Sequence, residues 1–313
     1  MKELGIGYAH GKIILMGEHA VVHGLPAISL PFYGAYVKTT VSKTDSVSTI
    51  HCSYFDGLLT EVPSELQGIS ILIETTLKYI NKSNSSIHVD IESTLPANRG
   101  LGSSAAVSVS VVRGVIAAFG VELSEDELIE LVNVAENIHH LNPSGLDVNT
   151  VIADLPLYFR RNHEKRHLPL KLKGYLVVAD TGELGSTREA VADFAGKLHD
   201  NTDMISRMNR IGVLTDETLL NLYTGDMSKV GKAMLETHAI LRDFSVSNDT
   251  LDRFVEIAMQ YGALGAKLTG SGQGGCMIAL AKDEESAETI ALKLRESGAH
   301  QTWFYNLEGN INE

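Results

Sequence analysis

A loop carrying two glycines, Leu95-Pro96-Ala-Asn-Arg99-Gly100-Leu101-Gly102, runs straight into a stretch of small and apolar residues, Ser103 to Phe119. Broken only by Arg113, that stretch is too short to span a bilayer, which takes about 20 residues. Its Ala- and Val-rich composition predicts a buried helix. The loop before it then delivers backbone N–H groups to a helix N-terminus, where unpaired amides and partial positive charge favour a phosphate. Glycine allows close approach of backbone to ligand, and Ser103 and Ser104 add hydroxyls that can donate hydrogen bonds or ligate a metal. A tight turn with a serine N-cap accounts for the same residues without a ligand.

Two better-known glycine motifs do not fit. Gly100-x-Gly102-x-x-Ala105 has the spacing of a dinucleotide fingerprint, with Glu122 about twenty residues on, but that motif needs a strand leading directly into its first glycine. Pro96-Ala-Asn-Arg99 intervenes. Gly11-Lys12 fails as a nucleotide P-loop, because Ile13 follows where Ser or Thr is needed and Ile6 stands where the first glycine should be.

Any phosphate site in this chain must be local. The 313 residues carry 26 Lys and Arg against 39 Asp and Glu, a formal charge of −13. So acidic a chain is a poor partner for nucleic acid or anionic lipid. Only two cysteines occur, Cys52 and Cys276, in no metal-ligand spacing, which suits a reducing compartment. With no apolar h-region near Met1, the expected location is cytoplasmic. At about 100–200 residues per domain, the length suggests two domains.

Hydrophobic period sets the expected elements. An apolar segment leads from Gly11 through Val22 to Gly24-Leu25-Pro26. Ala35 to Ser42 and Ile87 to Glu92 alternate as strands, and Ser64 to Ile80 has a helical period. Ser124-Glu-Asp-Glu127 is a capping box, with Leu123 and Leu128 as its staple, and opens a helix reaching about His139 before Asn142-Pro143. Leu155 to Thr181 is strand-like, with a polar turn at 160–166, and the domain boundary is placed there, giving 1–165 and 166–313. Helices follow near 187–200, 203–222, 226–243 and 248–261, then a strand from Gly275 to Ala281, a helix over 284–297 and a strand from Gln301 to Leu307.

Several polar residues are candidates for chemistry. Lys12 sits in an apolar strand start, where a lysine also commonly snorkels. Glu18-His19 is flanked by apolar residues, and a buried charge needs a partner. Of Glu136 and Asp147, one carboxylate could orient and deprotonate a hydroxyl while the other holds a magnesium ion; equally, Ser144-x-x-Asp147 reads as a helix cap. His139-His140 lacks a third metal ligand and reads as a helix terminus. The second glycine cluster, Lys267-Leu-Thr-Gly270-Ser271-Gly272-Gln-Gly274-Gly275, precedes the apolar run Cys276 to Leu280, a common setting for an ordinary turn.

Taken together, these segments resemble the galactokinase, homoserine kinase, mevalonate kinase and phosphomevalonate kinase superfamily, the GHMP kinases. Gly11-Lys12 through Gly17-Glu18-His19-Ala20-Val21-Val22-x-Gly24 is similar to its first motif. Pro96-x-x-x-Gly100-Leu101-Gly102-Ser103-Ser104-Ala105-Ala106 is similar to its phosphate loop, and Lys267 to Cys276 to its third motif. Glu136, Asn142 to Asp147, and Asp180-Thr181-Gly182…Ser186-Thr187-Arg188 fit between them, the last in the form of the branch that acts on mevalonate. Departures are His10, where proline is common, and the pair His139-His140, where glycine often follows one histidine.

The resemblance implies an α+β, two-domain fold: an N-terminal domain with a ribosomal-protein-like βαβ unit, a ferredoxin-like C-terminal domain, and an active site in the cleft between them. It implies an ATP-dependent kinase of isoprenoid precursor synthesis, with mevalonate as acceptor and phosphomevalonate as the nearest rival. Asp147 would take or position the hydroxyl proton, with Lys12 beside it. Ser104 and Glu136 would hold Mg2+. Pro96, Arg99, Gly100, Leu101, Gly102, Ser103, Ser104 and Ala105 would cradle the ATP phosphates, and Glu18, His19 and Thr187 would join Asp147 in touching substrate. It leaves room for a homodimer.

Overall fold

The computed structural model describes residues 4–139, 144–163, 165–168, 173–185 and 187–307, with the side chains of 136–139 and 187–189 outside that set. The chain forms two compact units, each discontinuous in sequence. One comprises Met1–Gly11, Ala35–Ala97 and Gly102–Ile152; the other comprises Lys12–Gly34, Asn98–Leu101 and Ala153–Glu313. Strands β1 (Leu4–Met16) and β2 (Pro26–Thr44) each contribute residues to both.

The remaining elements of the first unit are β3 (Thr49–Cys52), β4 (Phe55–Leu58), α1 (Gln67–Tyr79), β5 (Ser86–Ser93), α2 (Ser103–Ala118), α3 (Glu125–His139) and α4 (Leu146–Ile152). Val37–Thr44 of β2 pairs antiparallel with β5, which pairs parallel with β3 and so leads to the β3–β4 hairpin. Helices α1, α2 and α3 pack on one another. The expected buried helix is α2, with Ala106, Val109, Val112 and Val115 in the core. Its one charge is accounted for, since Arg113 donates to the Tyr8 carbonyl at 2.7 Å. The capping box at α3 forms as read: Glu127 accepts from the Ser124 N–H at 2.8 Å, and the Ser124 hydroxyl accepts from the Glu127 N–H at 3.3 Å.

Strand β1 starts well before the apolar segment seen in sequence. In Leu4–Ala9 the alternation is inverted: Leu4, Ile6 and Tyr8 face outward, while Gly5, Gly7 and Ala9 face the core. A Cβ on Gly5 would lie 2.2 Å from the Gly114 carbonyl oxygen, and one on Gly7 would lie 2.0 Å from that of Ser110. Strand and helix therefore meet backbone to backbone, which only glycine permits. Likewise β2 extends back to Pro26, beyond the alternation read from Ala35.

The second unit continues with β6 (Leu157–Arg160), β7 (Arg166–His167), β8 (Tyr175–Asp180), α5 (Thr187–Leu198), α6 (Thr202–Thr224), α7 (Met227–Asp243), α8 (Asp249–Gln260), β9 (Gly265–Thr269), β10 (Cys276–Ala281), α9 (Glu284–Glu296) and β11 (Gln301–Asn306). Its antiparallel sheet runs β11-β8-β10-β9. With helices between β8 and β9 and between β10 and β11, this is the ferredoxin-like order. Caps fix the helix starts: Asn201, Asp226, Asn248 and Asp283 each accept from the backbone N–H three residues on. The open edge of β9 is covered by α7, where His238 Nδ1 accepts from the Leu268 N–H at 3.3 Å. Among the described residues no helix is long and apolar enough to cross a membrane.

Candidate active site

At the end of β1 the chain turns through Glu18 and His19 into a short 3-10 turn, Ala20–His23. Two arginines bind that turn from outside: Arg160 Nε donates to the Gly24 carbonyl at 2.9 Å, and Arg161 Nη1 to that of Val22 at 3.2 Å. Glu18 is completely buried, and its partner is Lys267, equally buried, at the start of the second glycine cluster. Lys267 Nζ also donates to the Leu268 carbonyl at 2.7 Å. Burial drives the Glu18 carboxyl up from its ordinary value and the Lys267 ammonium down, and each is opposed by the other's charge. Lys12 is buried as well, and its charge favours the Glu18 carboxylate and disfavours the Lys267 ammonium. Its backbone N–H donates to the Leu101 carbonyl at 2.9 Å, tying β1 to the first glycine loop.

The His19 ring is defined on every side. Its Nε2 lies 3.0 Å from the Ser271 carbonyl; a carbonyl only accepts, so the proton is on Nε2 and Nδ1 carries a lone pair. Burial lowers the ring to a pKa of about 4, so it is neutral. Both Nδ1 of His19 and Oε2 of Glu18 are buried acceptors without a hydrogen-bond partner among the described residues.

Gly100 and Gly270 bring the two glycine clusters together. A Cβ on Gly100 would stand 2.9 Å from the Thr269 carbonyl oxygen, and one on Gly270 would stand 2.5 Å from Gly100 Cα. Thr269 then bonds β1, its hydroxyl accepting from the Ile14 N–H and donating to the Ile14 carbonyl, both at 3.0 Å. The second cluster is therefore no ordinary turn, because it forms the wall against which the first loop packs. Arg99 sits in the same arrangement, with Nε 3.0 Å from the Asp180 carboxylate and Nη2 donating to the Gly182 carbonyl at 2.7 Å. Its Nη1 is buried and has no partner among the described residues.

Beyond Leu101, which is fully buried, Gly102 is the residue preceding α2, with φ +75° and no side-chain cap. Ser103 and Ser104 stand inside the first turn instead of capping it, so the N-terminal amides of α2 are not occupied by a serine cap. Ser104 is exposed, Ala105 is buried and Pro96 is half-buried. Asp147 is half-buried in the first turn of α4, where Ser144 Oγ accepts from the Leu146 N–H at 3.2 Å. The side chains of Glu136 and Thr187, together with Asn142-Pro143, His140 and Ser186, lie outside the described residues.

Thus Lys12, Glu18, His19, Arg99, Gly100 and Leu101 are brought together around the Lys267–Gly275 segment. Lys267 was named in sequence only as the head of a motif. A lysine inside an apolar strand, in a chain with an equally buried glutamate, was the available signal for the pair. A surface groove of 350 Å3 on α6 and α7, lined by Arg210, Glu217 and Lys229 among others, holds none of the expected residues.

Glycine loops packed backbone on backbone, beside buried acceptors that have no hydrogen-bond partner among the described residues, are the arrangement that the second unit offers for ligand chemistry. Residues 70–153 match the family described as GHMP kinases N terminal domain, and residues 218–300 match GHMP kinases C terminal. A mevalonate kinase from Thermococcus sibiricus is 32% identical over 312 residues, covering 91% of this chain and 92% of the relative. The crystal structure of mevalonate kinase from methicillin-resistant Staphylococcus aureus is 33% identical with a TM-score of 0.75, covering 98% of this chain and all of that one. The crystal structure of L. major mevalonate kinase in complex with R-mevalonate is 26% identical with a TM-score of 0.81, covering 97% of each chain. The chain belongs to the GHMP kinases and, within them, to the mevalonate kinase family. ATP is the co-substrate that this family implies.

Proposed function

We propose that this chain transfers the γ-phosphoryl group of ATP to the primary, C5 hydroxyl of mevalonate, giving 5-phosphomevalonate for isoprenoid precursor synthesis. The observation that carries the reading is end-to-end likeness, at about a third identity, to proteins named for that activity.

Phosphoryl transfer asks for in-line positioning and charge stabilisation more than covalent help. Asp147 positions the acceptor hydroxyl and takes its proton late in the transfer. Lys12 offsets the negative charge that develops at that oxygen. Residues 100–105 cradle the ATP phosphates, and Arg99 Nη1 is a donor available to them. Glu18, His19 and Thr187 bind the acceptor: the lone pair on His19 Nδ1 and the free Glu18 Oε2 suit hydroxyl donors.

Magnesium fits the donor set. Ser104 carries a hydroxyl oxygen, a hard ligand, in the first turn of α2. Magnesium keeps waters and takes phosphate oxygens, needing only one or two protein ligands. Ser104 and Glu136 would hold it, and when bound it supplies neutralisation of phosphate charge. A cytoplasmic location and a homodimer are compatible with this reading.

The test is ADP release with magnesium-ATP, offering mevalonate, phosphomevalonate, homoserine and galactose in parallel. Turnover confined to mevalonate supports the proposal; turnover on phosphomevalonate alone moves the acceptor one step along the sequence of reactions and overturns it. Asp147→Ala should lower turnover by several orders of magnitude while circular dichroism stays native. Near-normal turnover in that variant would remove Asp147 from its role.

A further inference from the structure

His19 is held in an unusual way. Its backbone has φ +58° and ψ −45°, a region that residues with side chains seldom occupy and that marks functional positions. One edge of the ring is fixed by the Ser271 carbonyl. One face lies on the Phe194 ring, with centroids 5.1 Å apart and planes 20° from parallel. Phe194 in turn lies on Phe244, with centroids 4.0 Å apart and planes at 17°, and His23 leans on Phe194 at 5.8 Å. Phe194 and Phe244 are both almost completely buried. The result is a stack of three flat groups from three separate segments: the turn after β1, helix α5, and the end of α7.

Apolar bulk at this position could also come from an aliphatic residue. A flat face, however, restrains ring rotation, which a branched side chain does not, and stacked aromatic pairs have their own geometric preference. Rotation is what matters for His19, because the Ser271 bond fixes the proton and one edge of the ring, and the ring plane then decides where Nδ1, a buried acceptor with no partner among the described residues, is aimed. Helix α5 begins at Thr187, so the residue that sets the plane belongs to the helix whose first residue is also expected to touch the acceptor.

We infer that Phe194 is a positioning residue for the acceptor alcohol: by stacking on His19 it fixes the ring plane so that Nδ1 accepts a hydrogen bond from a substrate hydroxyl. This rests on the acceptor-binding role proposed above for His19. The inference concerns recognition of the acceptor and predicts no effect on nucleotide binding.

The experiment compares Phe194→Leu, which keeps apolar bulk without a flat face, with Phe194→Tyr, which keeps the ring. KM for mevalonate and for ATP are measured for both, alone and combined with His19→Ala. Expected is a rise of about two- to tenfold in KM for mevalonate for Phe194→Leu, the range that stacking geometry commands, with KM for ATP unchanged. Phe194→Tyr should restore most of it, and Phe194→Leu should add nothing once His19 is alanine. An equal rise in both KM values, no rise, or full additivity with His19→Ala would overturn the inference. Long-range 15N–1H correlation spectra of the His19 ring give a readout independent of turnover. The wild-type ring should show a single Nε2–H tautomer that Phe194→Leu disturbs, and an undisturbed ring in that variant overturns the inference even if another acceptor proves to be the substrate.

Discussion

The Glu18 carboxylate and the Lys267 ammonium are in direct contact, and neither side chain exposes any surface to solvent. Taking two charges out of water is repaid only while both are present, and removing one partner from such a pair costs about 3–5 kcal/mol. Lys267→Met should therefore destabilise the protein by that amount in urea titrations. The double variant Glu18→Leu, Lys267→Met should recover much of the loss, because no charge is left unpaired. If the double variant is as unstable as the single one, the pair is not the origin of the cost.

Where Gly100 meets Gly270, a side chain has no room and the wrong backbone. Gly100 has φ +78°, which costs an L-residue about 1–2 kcal/mol, and the added Cβ would press on the Thr269 carbonyl at 2.9 Å. Gly100→Ala should lower the melting temperature and raise KM for ATP, because the first loop must move off the second. A variant with normal KM for ATP would mean that the contact between the loops is not needed to shape the proposed phosphate cradle.

The capping box offers a control remote from the chemistry. Ser124→Ala removes the oxygen that accepts from the Glu127 N–H, and the loss should be about 1 kcal/mol. Both KM values and turnover should be unchanged. A thermal melt and one kinetic series decide it; a kinetic defect would mean that α3 communicates with the site more closely than its start suggests.

What the sequence disclosed, and what it hid, follows from which interactions are local. Caps and amphipathic periods are written in adjacent residues, so α3, α6, α7, α8 and α9 were located to within a few positions, and the Ser124 box was read correctly bond for bond. The first seven residues of β1 were missed because Gly5 and Gly7 occupy the buried side, reversing the pattern by which a half-buried strand is recognised. In β2, Pro31 interrupts the run that would have shown its first half. The two glycine loops were each visible, but their mutual packing is a contact between residues about 170 positions apart, and no spacing rule predicts it. The same holds for Lys267 opposite Glu18 and for Phe194 beneath His19. Sequence showed that a buried charge required a partner without showing which one.

Two buried histidines give the protein an acid-side stability limit. His19 and His238 both have their pKa lowered to about 4, in each case chiefly by burial. For His238 a carboxylate, Asp252, at 3.1 Å opposes the shift, but its Nδ1 accepts from the Leu268 N–H, so a second proton would break that bond at the edge of β9. In the unfolded chain each ring titrates near its ordinary value of about 6.5. Between about pH 6.5 and 4 the unfolded state therefore binds more protons than the folded one, and stability must fall as pH falls through that window. Above pH 6.5 both states are neutral at these rings and the contribution is fully present. Each ring can account for about 3 kcal/mol by pH 4. Urea midpoints measured from pH 7.5 to 4.5 should drop, and His238→Gln should make the slope shallower by removing one of the two proton-uptake sites. An unchanged slope in that variant would mean that His238 is already protonated in the folded protein, and the bond to Leu268 would then have to be redrawn.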